Sequence, residues 1–325
     1  MDLRSLAAGL LLALLAAACT RAGPSAPTAP AAPAGPSAPA GSSVTADDAD
    51  PAGPPVPLLW KVSDADNALY LLGSFHLLQP GDYPLDPRTD EAFEDAERLV
   101  FELSPAEMAG SELARLMQAS ARRDDGRRLQ DELPPDTWQR LEAWAARRGH
   151  DPAMLQGFEA WYVSLLVSVT EMQRQGLDPS LGLDRHFGRR ATEAGKPAEG
   201  LETGAQQIAL FDGMAPPQQL QALEEALQSP EEVERNVREL HGSWRAGDAA
   251  ALYEGSGVRM REQYPDLYAR VNVERNHAWL PRLQALLDEG GRDEDVLVVV
   301  GALHLLGEDG LVALLREAGY TVERL

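Results

Sequence analysis

The 325-residue sequence has a single cysteine, Cys19, so no disulfide can form within the chain. Basic residues are also scarce: 29 Lys and Arg stand against 51 Asp and Glu, a formal charge of -22. A chain of that sign repels phosphate backbones instead of releasing their counterions, which argues against nucleic acid as a partner. Nor does the amino terminus carry a membrane-spanning run, since the apolar stretch from Leu6 to Leu15 is too short to cross a bilayer as a mature helix. Large apolar side chains are almost missing between Thr20 and Pro57, where Ala, Pro, Gly and Ser dominate, so this segment cannot fold on its own. What remains is ample for a core. With 44% hydrophobic and 25% charged residues, the chain can fill one large domain or two small ones.

The amino terminus reads as an address. Arg4, the apolar stretch and then Ala16-Ala17-Ala18-Cys19 give a signal peptide over residues 1–18 that ends in small residues before a cysteine. The pattern resembles a bacterial lipobox, in which the cysteine thiol is lipidated and becomes the first mature residue. It departs from that pattern in having Ala16 where leucine is usual and in Asp2 within the charged region; the alternative is an ordinary cleaved secretory signal. Residues 19–57 then form a semi-stiff, partly polyproline tether. The expected order is lipid anchor at Cys19, spacer and folded payload, held at the cell envelope. Thr20 rather than an aspartate follows the cysteine, which by resemblance to enterobacterial lipoprotein sorting implies the outer membrane, facing the periplasm, with secretion as the alternative.

The payload spans residues 58–325. Leu58 to Val62 and Ala68 to Leu72 read as two strands joined by the Asp/Asn turn at 63–67, and a short helix is expected over Thr89 to Ala96. Arg98 to Leu103 reads as a strand carrying Glu102. Near the carboxyl end, Asp295 to Val300 is a strong strand, Glu308 to Ala318 a helix and Tyr320 to Leu325 a closing strand. Between the halves, from about 104 to 290, apolar residues recur at helical spacing, with one further short strand at Lys196 to Leu201. The fold class is therefore α/β, a mixed α+β arrangement: a central mixed sheet from two divergent halves, with a large helical insertion between them.

Each half carries Gly-x-x-His after a buried strand, at Gly73 to His76 and at Gly301 to His304. With 28 Gly and 6 His, chance alone yields on the order of half a match, so the position of the two matches matters more than their number. Residues beyond the carboxyl ends of parallel strands face one crevice, and glycine lets the backbone turn tightly there. His76 and His304 can then converge. Structural histidines in two tight turns fit spacing and context equally well.

Gly73-Ser74-Phe75-His76, the strand ending in Glu102, Gly182-Leu183-Asp184, Gly200-Leu201-Glu202-Thr203 with Gln206-Gln207, Arg275-Asn276 with Trp279, and Gly301-Ala302-Leu303-His304 with Gly307-Glu308-Asp309-Gly310 together resemble the TraB/GumN family over nearly all of 58–325. That family is similar to the Tiki metalloproteases, which cleave the amino-terminal segment of Wnt proteins, and more remotely to erythromycin-esterase and haem-binding ChaN-like proteins. The resemblance implies a mixed α/β core with a helical insertion and a divalent metal site built on both histidines.

On that basis His76, His304 and Glu102 are the expected metal ligands, a donor set that suits Mn, Co or Zn alike. Glu102 has a second possible role as the base that deprotonates the attacking water. Arg275 and Asn276 are candidates for stabilising an oxyanion, against the plainer reading of solvated groups at a helix start. Asp184 and Glu202 are candidates to orient a ligand histidine or to cap a helix, and capping is the simpler expectation for Asp184. His150, His186, His241 and His277 are not expected to bind metal. The function expected is a membrane-tethered, metal-dependent hydrolase, a peptidase acting on a peptide or protein substrate. The alternative is a non-catalytic envelope module binding haem, metal or peptide.

Overall fold

The computed structural model describes residues 53–288 and 294–325. The signal-peptide expectation and Cys19 lie outside these residues, as does the tether up to residue 52. Of the tether, residues 53–57 are described: Gly53 and Val56 are held by Arg245, whose Nη2 donates to Gly53 O at 2.9 Å and whose carbonyl accepts from Val56 N at 2.8 Å.

Among the described residues one six-stranded sheet forms, from β1 (Leu59–Ser63), β2 (Ala68–Ser74), β3 (Arg98–Phe101), β4 (Ala198–Gly200), β5 (Val296–Gly301) and β6 (Thr321–Arg324), in the order β4-β3-β5-β2-β1-β6. The first four strands in this order are parallel, and β1 alone runs against its neighbours. The hairpin turn works as its composition suggests: Asp64 Oδ1 accepts from Asp66 N at 3.0 Å and from Asn67 N at 3.1 Å, an Asx turn that reverses the chain. Strands β2 and β5 are buried along their whole length, which explains why both are continuous apolar runs instead of alternating ones. The edge strands β4 and β6 are mostly exposed and correspondingly polar.

Residues 104 to 288 are mainly helical, as the apolar periodicity predicts, and β4 within them closes one sheet edge against β3. The insertion has cores of its own, one around Trp161 and Phe211 and another around Leu141 and Trp144, apart from the cluster on the sheet. At the start of this region Gly110 separates two helices, Pro105–Ala109 and Ser111–Ser120. The carboxyl-terminal helix starts at Leu311, later than expected, because the preceding chain turns at Gly307, where φ is +80°. Two π-helical turns, Tyr253–Val258 and Ala269–Val273, interrupt the helical pattern before helix Glu274–Asp288. No described helix is long and apolar enough to cross a membrane.

Candidate functional site

Three strands deliver the site. β2 ends at Ser74 just before His76, β5 ends at Gly301 just before His304, and β3 ends at Phe101, next to Glu102. Because β3, β5 and β2 are adjacent and parallel, with Ser74 beside Gly301 and Phe101 beside Val299, all three residues leave the sheet at the carboxyl ends of the strands. They meet at one point. A methyl group built on Gly301 would lie 3.1 Å from Glu102 Oε1, 3.2 Å from His76 Nε2 and 3.6 Å from His304 Cδ2. Glycine leaves that space open, and its N–H donates to Glu102 Oε1 at 2.7 Å.

His76 is held from behind by Asp184. Asp184 Oδ2 lies 2.6 Å from His76 Nδ1 and also accepts from Ser74 Oγ at 2.6 Å. A carboxylate there fixes Nδ1 as the protonated nitrogen and leaves Nε2 directed at the site, where it is buried and has no partner within the protein. Asp184 does not cap its helix, contrary to the simpler expectation: Gly182 is the capping residue of Leu183–Ala194, and Asp184 in the first turn points at His76 instead. Gly182 is required by close approach, since a Cβ on it would come within 2.6 Å of the His76 carbonyl carbon.

His304 is held in the same manner by an amide. Asn276 Nδ2 donates to Asp309 O at 2.7 Å and to His304 O at 3.3 Å, so its Oδ1, 2.7 Å from His304 Nδ1, accepts the Nδ1 proton. His304 Nε2 is then a lone pair, and it accepts from Arg275 Nη1 at 2.9 Å while lying 3.8 Å from Glu102 Oε1. Trp279 packs over both, its ring centroid 4.5 Å from the His304 ring and 4.5 Å from the Arg275 guanidinium carbon.

Arg275 is the buried cation that organises the carboxylates. Its Nη2 donates to Glu102 Oε2 at 2.6 Å and also to Glu202 Oε1, and its Nε donates to Glu202 Oε2 at 3.1 Å. Gln207 Nε2 bridges the same pair, at 2.8 Å from Glu202 Oε1 and 3.3 Å from Glu102 Oε2. Glu202 therefore positions Arg275 and touches neither histidine. Asn276 is a histidine anchor, with its amide fully engaged, so it has no donor left for an oxyanion.

The charges follow from these contacts. Burial pushes Glu102 up, but Arg275, His304, His76 and the Gly301 N–H together hold it down at about 2. Burial and then Arg275 push His304 down to about 3, so it is neutral. Burial also acts to lower His76, but Asp184 and Glu102 outweigh it and raise the imidazole above its ordinary value.

The other histidines sit elsewhere. His241 Nε2 lies 2.9 Å from buried Asp82, which also pairs with Arg245. His150 stacks on Trp144, and His186 packs edge-on against Phe187, where burial lowers it to about 4. His277 is exposed beside Asn276. Ser74 and Gly301 also belong to the site, through the Asp184 and Glu102 carboxylates, and both lie within the two histidine motifs. The Asp82 network had no sequence signal, because its members are far apart in the chain.

The donor types are those that bind divalent cations. Two imidazoles with anchored Nδ1–H groups and one carboxylate converge on a space that a single methyl would fill, and one of the imidazole nitrogens lacks any partner. One contact stands against immediate ligation. Arg275 Nη1 covers His304 Nε2, and as the side chains stand no group of three or more His, Cys, Asp or Glu among the described residues could hold a metal ion.

The uncharacterized protein YbaP of Escherichia coli (strain K12) is 25% identical to the chain over 248 residues, covering 76% of this chain and 87% of that protein. The protein of the same description from Shigella flexneri matches to the same extent, 25% over 248 residues. No solved structure matches the chain significantly. The TraB/PrgY/gumN family profile matches residues 58–324, a span that takes in every strand and every residue of the site, and the chain belongs to that family.

Proposed function

We propose that the protein is a metal-dependent hydrolase, a peptidase, in which His76, His304 and Glu102 hold a divalent cation such as Mn, Co or Zn. The supporting observation is the convergence of these three side chains on the point beside Gly301, with His76 Nε2 buried and unpartnered there. A bound cation would supply an acidified water and polarise a carbonyl.

The remaining chemistry belongs to the chain. Glu102, held at about 2, is a poor proton acceptor near neutrality but a permanent anion, which suits a ligand better than a general base. Asp184 and Asn276 keep both Nε2 atoms facing the site by holding the Nδ1 protons. Arg275 balances the buried charge of Glu102 and Glu202 and keeps Glu102 in place through Nη2. To free His304 Nε2, its Nη1 has to move off by one hydrogen bond, after which that donor is available to a developing oxyanion. The substrate is an envelope or extracellular peptide or protein, and Cys19 is the lipid anchor that keeps the enzyme at the membrane.

The Arg275 contact on His304 Nε2 favours a second reading, a non-catalytic envelope module that binds haem, metal or peptide in the same crevice. Metal content measured after offering Mn, Co and Zn, together with peptide cleavage, separates the two. The hydrolase reading expects bound metal and turnover, both lost in His76→Ala and His304→Ala with the fold retained. Protein that takes up no divalent ion from any of the three refutes it.

A further inference from the structure

Arg275 uses every N–H of its guanidinium. Nε donates to Glu202 Oε2 at 3.1 Å, Nη2 to Glu202 Oε1 and to Glu102 Oε2 at 2.6 Å, and Nη1 to His304 Nε2 at 2.9 Å and to Val271 O at 3.1 Å. Two of these acceptors, Glu102 and His304, are the ones a divalent ion would need, and with the guanidinium in place the described side chains offer such an ion no complete set. The His76 side chain is 13% exposed, so the site meets solvent on that side although Glu102, His304 and Arg275 are buried.

The surrounding structure holds this pose. The π-helical turn Ala269–Val273 runs straight into helix Glu274–Asp288, with Glu274 N–H donating back to Ala269 O. Val271, inside that turn, supplies the carbonyl that accepts Nη1, and such turns are frequent at functional sites. Trp279 covers both ends of the bond between Nη1 and His304, with its ring centroid 4.5 Å from the guanidinium carbon and 4.5 Å from the imidazole centroid.

The side-chain bonds of Arg275 are not equal. Those to Glu102 and Glu202 join opposite charges, whereas His304 Nε2 is the lone pair of a neutral ring, so the contact with His304 is the side-chain bond that gives way most easily. Breaking it leaves Nε and Nη2 on both carboxylates and the other Nη1 hydrogen on Val271 O. We propose that Arg275 is a latch on the metal site: Nη1 holds His304 Nε2 in the resting protein and has to leave before a divalent ion can take that nitrogen. Metal loading is then a competition with a cation built into the chain. This adds a means of regulation to the metal-dependent reading and rests on it.

The test is calorimetric titration of the parent protein and Arg275→Lys with Mn, Co and Zn. Lysine keeps the charge, and its ammonium is drawn to the two carboxylates in preference to a neutral imidazole, which leaves His304 Nε2 uncovered. The variant is expected to bind about tenfold more tightly, the worth of one hydrogen bond that no longer has to be displaced. Relief of charge repulsion does not account for such a gain, since the charge is unchanged. Equal or weaker binding by the folded variant overturns the latch and leaves the metal-dependent reading standing. Uptake by the variant alone supports the latch and removes the metal-dependent hydrolase, and uptake by neither protein overturns both. If Arg275→Lys does not fold, nitrogen NMR of the metal-free parent with labelled histidine decides. A His304 Nε2 signal shifted from that of an uncovered lone-pair nitrogen supports the latch, and a signal at the uncovered position overturns it.

Discussion

Gly301→Ala places a probe where the three site residues meet. The new Cβ would stand 3.1 Å from Glu102 Oε1 and 3.2 Å from His76 Nε2, distances at which each neighbour has to give by a few tenths of an ångström. The backbone itself offers no resistance, since φ at Gly301 is -51° and ψ 135°, ordinary for alanine. The fold therefore suffers only mild overpacking, about 1 kcal/mol, against a typical stability of about 5–15 kcal/mol. At about 2–4 °C per kcal/mol the melting temperature falls by a few degrees at most.

Function should suffer far more. Shifting His76 or Glu102, or filling the space between them, is expected to weaken divalent-metal affinity by about tenfold or more, in line with disturbing the partners of a ligand. Hydrolysis should fall on the order of a hundredfold, as for misplacement of reacting groups. The assay pairs metal titration and kcat/KM with thermal unfolding. Gly242→Ala, where a Cβ meets nothing within 4 Å, is the control and should leave both metal binding and turnover unchanged. A Gly301→Ala protein that binds metal and cleaves peptide like the parent would refute the placement of the centre, whatever its melting temperature.

Asp184→Asn keeps the shape but removes the anion that fixes the His76 Nδ1 proton, so metal affinity should fall about 10–100-fold, read by competition with a chromogenic chelator. Retention of full affinity would show that Asp184 is merely structural. Glu225 is 8% exposed with neither carboxylate oxygen bonded, and burial raises it from 4.5 to about 8. A raised carboxyl contributes stability that is complete below the unfolded value and is lost as pH climbs through about 4.5 to 8. Glu225→Gln should therefore be the more stable protein at pH 8, by on the order of a few kcal/mol, and should match the parent at pH 4; denaturant melts that run parallel across this range would contradict the reasoning. Cys19→Ser should release the protein from membranes on fractionation, and unchanged retention would sink the lipid anchor.

How much of this is legible in the sequence depends on the range over which each contact acts. The hairpin, the buried strands and the helical insertion follow from local periodicity and turn chemistry, signals confined to a few neighbouring residues. The two Gly-x-x-His turns are local as well, and parallel strands ending in one crevice make their meeting foreseeable. What joins them is not local. Asp184 comes to His76 across 108 positions and Arg275 to Glu102 across 173, and no spacing rule links residues so far apart. Asp184 also shows why a local rule fails here: near a helix start, capping is the ordinary use of an aspartate, and Gly182 takes that place only because its missing side chain lets the helix sit on the His76 carbonyl. The same glycine thus frees the aspartate to hold the imidazole. A cation at Arg275 is likewise readable only with Glu102 and Glu202 both in view, since a guanidinium this deeply buried needs two carboxylates to hold it. The two carboxylates also differ: Glu102 stays anionic at about 2 because Arg275, both site histidines and the Gly301 N–H offset its burial, whereas burial raises Glu202 beside the same guanidinium, so neighbours that no sequence spacing reveals decide which of the two carries the fixed charge.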